Sequence, residues 1–381
     1  MALPEPTPDA RAHSERVASH IRDEIASSGG WISFARYMEL ALYAPGLGYY
    51  SAGAKKLGKE GDFITAPEIS PLYGQTLARQ VREIFRAGFD EVLEVGAGSG
   101  ALAATLLEEL ERSVSLPRSY LILELSADLR ERSRDTLAAR VPHLLERVAW
   151  LNRLPPSFSG VVIGNEVLDA MPVHVVRVKG GKIEEGGVGA RGDRLGWSWR
   201  PASGDLLDAA KALALPEGFR TEIGLAARGF LRSLAGVLEK GVALFVDYGF
   251  PRSEYYHAQR SEGTLMCHYR HHAHADPLFL PGLQDITSHV DFSAVADAAR
   301  EGGIELAGYT SQAQFLVNCG ITEVMERTPT EDRGKFLPLA NQANRLMSPA
   351  EMGELFKAIA FERGFAAPLL GFREGDRRGT L

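Results

Sequence analysis

Three glycines at alternate positions, Gly96, Gly98 and Gly100, follow the acid Glu94 in the stretch EVLEVGAGSG. A glycine turn between a strand and a helix lets the backbone approach a ligand closely, because side chains there would collide with it. The glycines alone do not select the ligand, since Gly96, Gly98 and Ala101 also satisfy the G-x-G-x-x-G/A dinucleotide pattern. Two features separate the candidates. Gly100 makes the spacing G-x-G-x-G, and Glu94 stands where a nucleotide-binding strand usually ends in apolar residues. An acid at that position suits the cationic amino group of S-adenosylmethionine (SAM) and adds repulsion near a pyrophosphate. Glu124 ends a second expected strand, where a carboxylate accepts hydrogen bonds from ribose hydroxyls in either cofactor class. Leu125 beside it, and Asn165 after a fourth strand, complete the expected cofactor set of Glu94, Gly96, Gly98, Gly100, Glu124, Leu125 and Asn165. SAM is the favoured ligand, with a dinucleotide and a purely structural turn as the alternatives.

These residues need a sheet edge to present them. Strand patterns at 91–95, 120–125, 148–151 and 161–165 alternate with helical patterns at 101–112 and 128–140. Leu102, Leu106 and Leu110, beside Ala103 and Leu107, form the apolar stripe that would cover such a sheet. The alternation implies parallel strands with right-handed crossovers, and ligands of open α/β folds bind outside the carboxyl ends of such strands. Helices are expected at 14–27, 33–43 and 72–87. Residues 44–71, rich in Gly, Pro and aromatics, read as a long loop or lid. Residues 172–241 interrupt the alternation with antiparallel patterns around Gly180-Gly181, then helices at 205–215 and 222–238. A buried strand at 242–249, a His-rich loop at 250–290 and a helix at 293–302 follow. Strands are expected at 304–309 and 313–316, with mainly helical chain beyond.

The fold class is therefore α/β, a Rossmann-like core of mainly parallel sheet with helices on both faces. The expected division is 1–88 for N-terminal helices and lid, 89–171 and 222–318 for the core, 172–221 for a β-rich insertion, and 319–381 for a helical extension.

Bulk composition restricts the partners. Hydrophobic residues are 45% and charged residues 24%, as in ordinary globular domains, and the net charge is -7. That balance argues against a broad phosphate-binding face, so no nucleic-acid partner is expected. Cys267 and Cys319 are too few for a disulfide framework and form no CxxC pair. No apolar run of about 18 residues appears, and the first residues lack the apolar core of a secretory signal. No membrane insertion is expected, and a cytoplasmic, bacterial location is.

With the glycine loop, GDFITAPEIS at 61–70, NEVLDAMPVH at 165–174, VDYGF at 246–250, GTLMCHYRHHAHADPL at 263–278 and PGLQDITSHVDF at 281–292, the chain closely resembles the MidA family. The resemblance runs from about residue 17 to 361. That family includes the mitochondrial complex I assembly methyltransferase. The resemblance implies a SAM-binding core, S-adenosylhomocysteine as the product, and a protein arginine as methyl acceptor, for the mitochondrial member in a complex I subunit. It places the SAM loop on Gly96, Gly98 and Gly100, the ribose acid on Glu124, and the motif after the fourth strand on Asn165, Glu166 and Asp169. A homodimer is compatible with it. Methylation of a small molecule and a SAM-binding assembly protein without turnover are the competing readings.

An arginine acceptor calls for carboxylates that grip the guanidinium. Glu166 and Asp169 are the first candidates, three apart and able to share a face if a helix begins there. Asp62 and Glu68 in the lid come next, and His289, in H-x-D alternation with Asp291, is a candidate proton acceptor. Each has an ordinary structural role as its rival: Asp169 capping a turn, Glu68 opening a helix. Tyr43, Tyr49, Tyr50 and Tyr73 could stack on adenine or guanidinium, though packing is favoured. The histidines of 268–274 lack metal-ligand spacing and carry Arg270 among them, so no metal is expected and a capping loop or turn is.

Overall fold

Aliphatic runs such as VVIG and VALFV, uninterrupted by polar residues, suit strands covered on both faces. In the computed structural model, which describes residues 3–52 and 64–381, they form the centre of a sheet. Its strands are β1 (Glu91–Val95), β2 (Ser119–Leu123), β3 (Val148–Leu151), β4 (Phe158–Asn165), β5 (Leu238–Phe250), β6 (Glu305–Ser311) and β7 (Phe356–Arg363). Their order is β3-β2-β1-β4-β5-β7-β6. The pairs from β3 to β5 are parallel, and β7 runs antiparallel to both β5 and β6. The order reverses between β1 and β4, which makes the carboxyl ends of those strands a ligand position.

The register aligns those ends: Val95 lies opposite Leu123 on one side and Gly164 on the other, and Asn165 lies opposite Val246. Gly164 is required there, because a Cβ would come within 2.5 Å of the Phe245 ring. The stripe expected on helix Ala101–Arg112 is buried, and Gly74 of helix Pro71–Arg86 packs against it, with room for a Cβ only 2.9 Å from Thr105.

This sheet belongs to one of two compact units, comprising residues 64–167, 230–249 and 292–381. The other comprises residues 1–63, 168–229 and 250–291. In it, Thr7 caps helix Pro8–Ser27 and Ser33 caps helix Phe34–Tyr43. Antiparallel strands Lys182–Arg191, His174–Lys179 and Arg220–Ile223 pair in that order, and Arg194–Pro201 pairs with the first. A hairpin of Met266–Tyr269 and His272–His274, joined to Asp285–Thr287, occupies part of the expected His-rich loop.

Several expectations need correction. Residues 313–316 lie in helix Gln312–Asn318, whose opening is capped by Ser311. The helix expected from 222 begins only at Leu225, because Thr221 and Glu222 are drawn into strand Arg220–Ile223. The C-terminal region does contain helices Ile321–Met325 and Arg333–Met347, but Phe356–Arg363 then returns as β7 in the sheet. Among the described residues, no helix is long and apolar enough to cross a membrane.

Candidate active site

The glycine loop grows directly out of β1. Gly96, Gly98 and Gly100 have φ of +67°, +54° and +81°, a left-handed backbone that side chains disfavour. The amide of Gly96 donates to the carbonyl of Leu123 at 2.9 Å, tying the end of β1 to the end of β2. Two of the glycines also answer to packing. A Cβ on Gly100 would lie 2.9 Å from Cα of Ser133, and one on Gly96 would lie 3.1 Å from Val167.

Two carboxylates sit beneath and beside this loop. Glu94 is buried and accepts a hydrogen bond from the Tyr120 hydroxyl at 2.6 Å. Burial pushes its carboxyl up to about 7; the Tyr120 bond opposes the shift and the charge of Glu124 adds to it. Glu124 directly follows β2 and accepts the Ser126 amide at 2.8 Å. Burial raises its pKa, against the amides of Ser126 and Leu125, the charge of Arg130 and the amide of Gly98. Glu124 thus braces the glycine loop. Leu125, next to it, is 72% exposed, an apolar surface beside the expected ribose acid.

The end of β4 carries the third group. Tyr73 donates to Oδ1 of Asn165 at 2.5 Å, and Nδ2 of Asn165 donates to Oε1 of Glu166 at 3.0 Å. The amide of Ala66 donates to the same Glu166 oxygen at 3.1 Å. Glu166 has φ of +53°, and its amide donates to the Val246 carbonyl of β5 at 2.9 Å. A non-glycine residue held in that region stores strain, which concentrates at functional sites. The adjacent Val167 amide donates to the buried Asp247 at 3.0 Å.

The expected site residues separate as follows. Glu68, at the end of the lid stretch, accepts a hydrogen bond from the Ser99 hydroxyl, so it reaches the glycine loop. Asn165 and Glu166 are joined, but residues 166–169 run through bends into a turn, not a helix, and Glu166 and Asp169 share no helical face. Asp169 belongs to the other unit, where it is buried and its carbonyl accepts the Ser288 amide at 3.1 Å. His289 is in that unit too; its ring stacks on Phe250 at 5.2 Å and its amide donates to Thr264. Asp291 accepts from the Tyr256 hydroxyl at 3.1 Å. Asp62 lies outside the described residues.

The tyrosines differ in use. Tyr43 and Tyr50 stack at 5.4 Å, and Tyr50 donates to Asp285 at 2.8 Å. Tyr73 is a buried donor to Asn165, not an exposed stacking surface. In the His-rich stretch, Arg270 and His271 form a left-handed hairpin turn with φ of +48° and +62°, and Nδ1 of His272 lies 2.7 Å from the Arg270 carbonyl. Among the described residues, no three His, Cys, Asp or Glu side chains are grouped to hold a metal ion.

Tyr120 and Ser99 escaped the reading of the sequence. Tyr120 left one signal, a phenol in the otherwise aliphatic strand SYLIL, where a buried hydroxyl needs a partner.

Comparison with known proteins adds the following. Residues 76–310 match the family described as "Putative S-adenosyl-L-methionine-dependent methyltransferase". The chain is 29% identical to the protein named Protein arginine methyltransferase NDUFAF7 homolog, mitochondrial, of Drosophila melanogaster, over 98% of this chain and 93% of that protein. It is 30% identical to the Mus musculus protein arginine methyltransferase NDUFAF7, mitochondrial, over 90% and 83%. A Burkholderia thailandensis crystal structure bound to S-adenosyl-homocysteine is 51% identical, with a TM-score of 0.96 and full coverage of both chains.

Proposed function

Because the chain belongs to the MidA family of S-adenosyl-L-methionine-dependent methyltransferases, we propose that it transfers the methyl group of SAM to an arginine side chain of a protein. One observation carries the acceptor: the likeness extends over nearly the whole chain to relatives named protein arginine methyltransferases. The family resemblance directs the search for that protein to subunits of NADH:ubiquinone oxidoreductase.

The residues present suit the cofactor. Three left-handed glycines offer backbone without side chains, and Glu124 is fixed at the end of β2 with the exposed Leu125 beside it. We assign Glu94 to the cofactor's ammonium group, Glu124 to its ribose hydroxyls, Leu125 to its base, and Gly96, Gly98 and Gly100 to the walls of the cradle; Asn165, expected from the sequence to join them, is bonded to Tyr73 and Glu166 and goes with the acceptor. SAM supplies an already activated methyl group, so no covalent nucleophile is required of the protein.

What remains for the protein is to orient the acceptor, strip water from it and accommodate the proton it loses. A guanidinium is best gripped by a carboxylate through charge-assisted hydrogen bonds. Glu166 fits that role: its backbone is fixed to β5, and Ala66 and Asn165 aim its carboxylate. The proton released by the substituted nitrogen is accepted at the Glu166 carboxylate.

The test is incubation of the purified protein with methyl-labelled SAM and cell lysate. Label in the protein fraction is expected. Label confined to small metabolites would overturn the protein acceptor.

A further inference from the structure

We propose that Tyr73 is a positioning residue for methyl transfer, holding Asn165 and Glu166 as one unit by donating its hydroxyl hydrogen to the Asn165 side chain. The argument rests on the direction each hydrogen bond must take. An ionised Glu166 carboxylate can only accept, so the group of Asn165 facing it at 3.0 Å must be the Nδ2 amide. That orientation turns Oδ1 of Asn165, also an acceptor, toward Tyr73. The hydroxyl 2.5 Å away must therefore be the donor, and its single hydrogen is committed.

The surroundings keep it so. Tyr73 is buried on the first turn of helix Pro71–Arg86, whose start is pinned by Pro71 and by the Ser70 cap. Burial raises its pKa well above the ordinary value, and the charges of Glu166, Asp247 and Glu94 raise it further. The phenol thus stays protonated throughout the working pH range. Those three acids stand at or near the carboxyl ends of β4, β5 and β1, and the hydroxyl meets Asn165 at the end of β4.

Without the hydroxyl, Oδ1 of Asn165 loses its buried donor, and rotation of the amide would turn an oxygen toward the Glu166 carboxylate. An acceptor facing an acceptor is repulsive, so Glu166 would leave its place. The proposal rests on the assignment of Glu166 to the acceptor. Cofactor binding should be spared, because the single hydrogen of the Tyr73 hydroxyl is given to Asn165, on the acceptor side, and not to the glycine loop or Glu124.

The test is a double-mutant cycle of Tyr73→Phe and Asn165→Ala, read as transfer of labelled methyl to lysate protein at saturating SAM, with SAM affinity from calorimetry. Tyr73→Phe is expected to slow transfer about 10- to 100-fold, with SAM affinity within about threefold of the unmodified protein. Asn165→Ala should slow it similarly, and the double variant should be no slower than either alone. Multiplying effects would overturn the proposal. So would transfer restored at saturation with the loss carried by SAM affinity. If the unmodified protein labels no protein at all, the acceptor assignment falls, and nuclear magnetic resonance still decides the positioning. The Asn165 side-chain amide hydrogens should exchange slowly in the unmodified protein and rapidly in Tyr73→Phe; equal exchange in both would overturn it.

Discussion

Tyr120 on β2 donates its hydroxyl hydrogen to Glu94 on β1 at 2.6 Å, below the glycine loop, and this bond holds down the pKa of a carboxyl that burial lifts to about 7. A SAM ammonium group favours the ionised carboxylate. Binding therefore releases a proton wherever Glu94 is still protonated. SAM affinity is expected to rise about tenfold per pH unit below the Glu94 pKa and to level off above it. Calorimetry between about pH 5.5 and pH 7.5 checks this. A flat profile would remove Glu94 from the cofactor's ammonium group.

Removing the donor should move that profile. In Tyr120→Phe the ionised form of Glu94 loses a hydrogen bond worth about 1.5–3 kcal/mol, so its pKa rises by about one unit or more. SAM affinity at neutral pH is expected to fall about tenfold, with recovery at higher pH. The stability effect has the opposite sense. A carboxyl whose folded pKa exceeds its unfolded value favours the fold fully below the unfolded pKa and loses that contribution as pH rises through about 7. Unfolding midpoints across that window should show the Glu94 contribution declining upward.

Gly100 and Gly88 separate backbone strain from crowding. Both have left-handed backbone, with φ of +81° and +92°, but a Cβ on Gly88 meets nothing within 4 Å, whereas one on Gly100 meets Ser133 at 2.9 Å. Gly88→Ala is expected to cost about 1 kcal/mol and Gly100→Ala about 2–4 kcal/mol, measured by denaturant unfolding. Equal costs would show that helix Ala127–Arg140 yields at Ser133.

The cradle was legible because its chemistry is local. Glu94, Gly96, Gly98 and Gly100 fall within seven residues, and the aliphatic strands on either side need no distant partner to be recognised. The braces were not legible. Tyr120 is 26 residues from Glu94, and Tyr73 is 92 from Asn165, so only the sheet register and the packing of helix Pro71–Arg86 bring them together. The left-handed backbone of Glu166 leaves no mark on composition, which is why 166–169 could be read as the start of a helix. FKAIAFER, near the C-terminus, is too short for its periodicity to distinguish a strand from a helix. It becomes β7 by pairing with β5 and β6.

Glu68 entered as a candidate for the acceptor and in the structure holds Ser99 in the glycine loop. Ser99→Ala and Glu68→Gln should therefore act on the cofactor. Each is expected to weaken SAM binding about 5- to 30-fold, with transfer at saturating SAM within about threefold of the unmodified protein. A loss confined to the transfer rate would return Glu68 to the acceptor.

The proposed reaction is methylation of a protein arginine at the carboxyl edge of the sheet, with Glu166 gripping the guanidinium. Its most direct test is amino-acid analysis of acid-hydrolysed protein after reaction with methyl-labelled SAM, comparing the unmodified enzyme with Glu166→Gln. Label is expected in methylarginine, reduced about 100-fold by a substitution that keeps the side chain's size and removes its charge. Label on another amino acid, or methylarginine undiminished in Glu166→Gln, would contradict it.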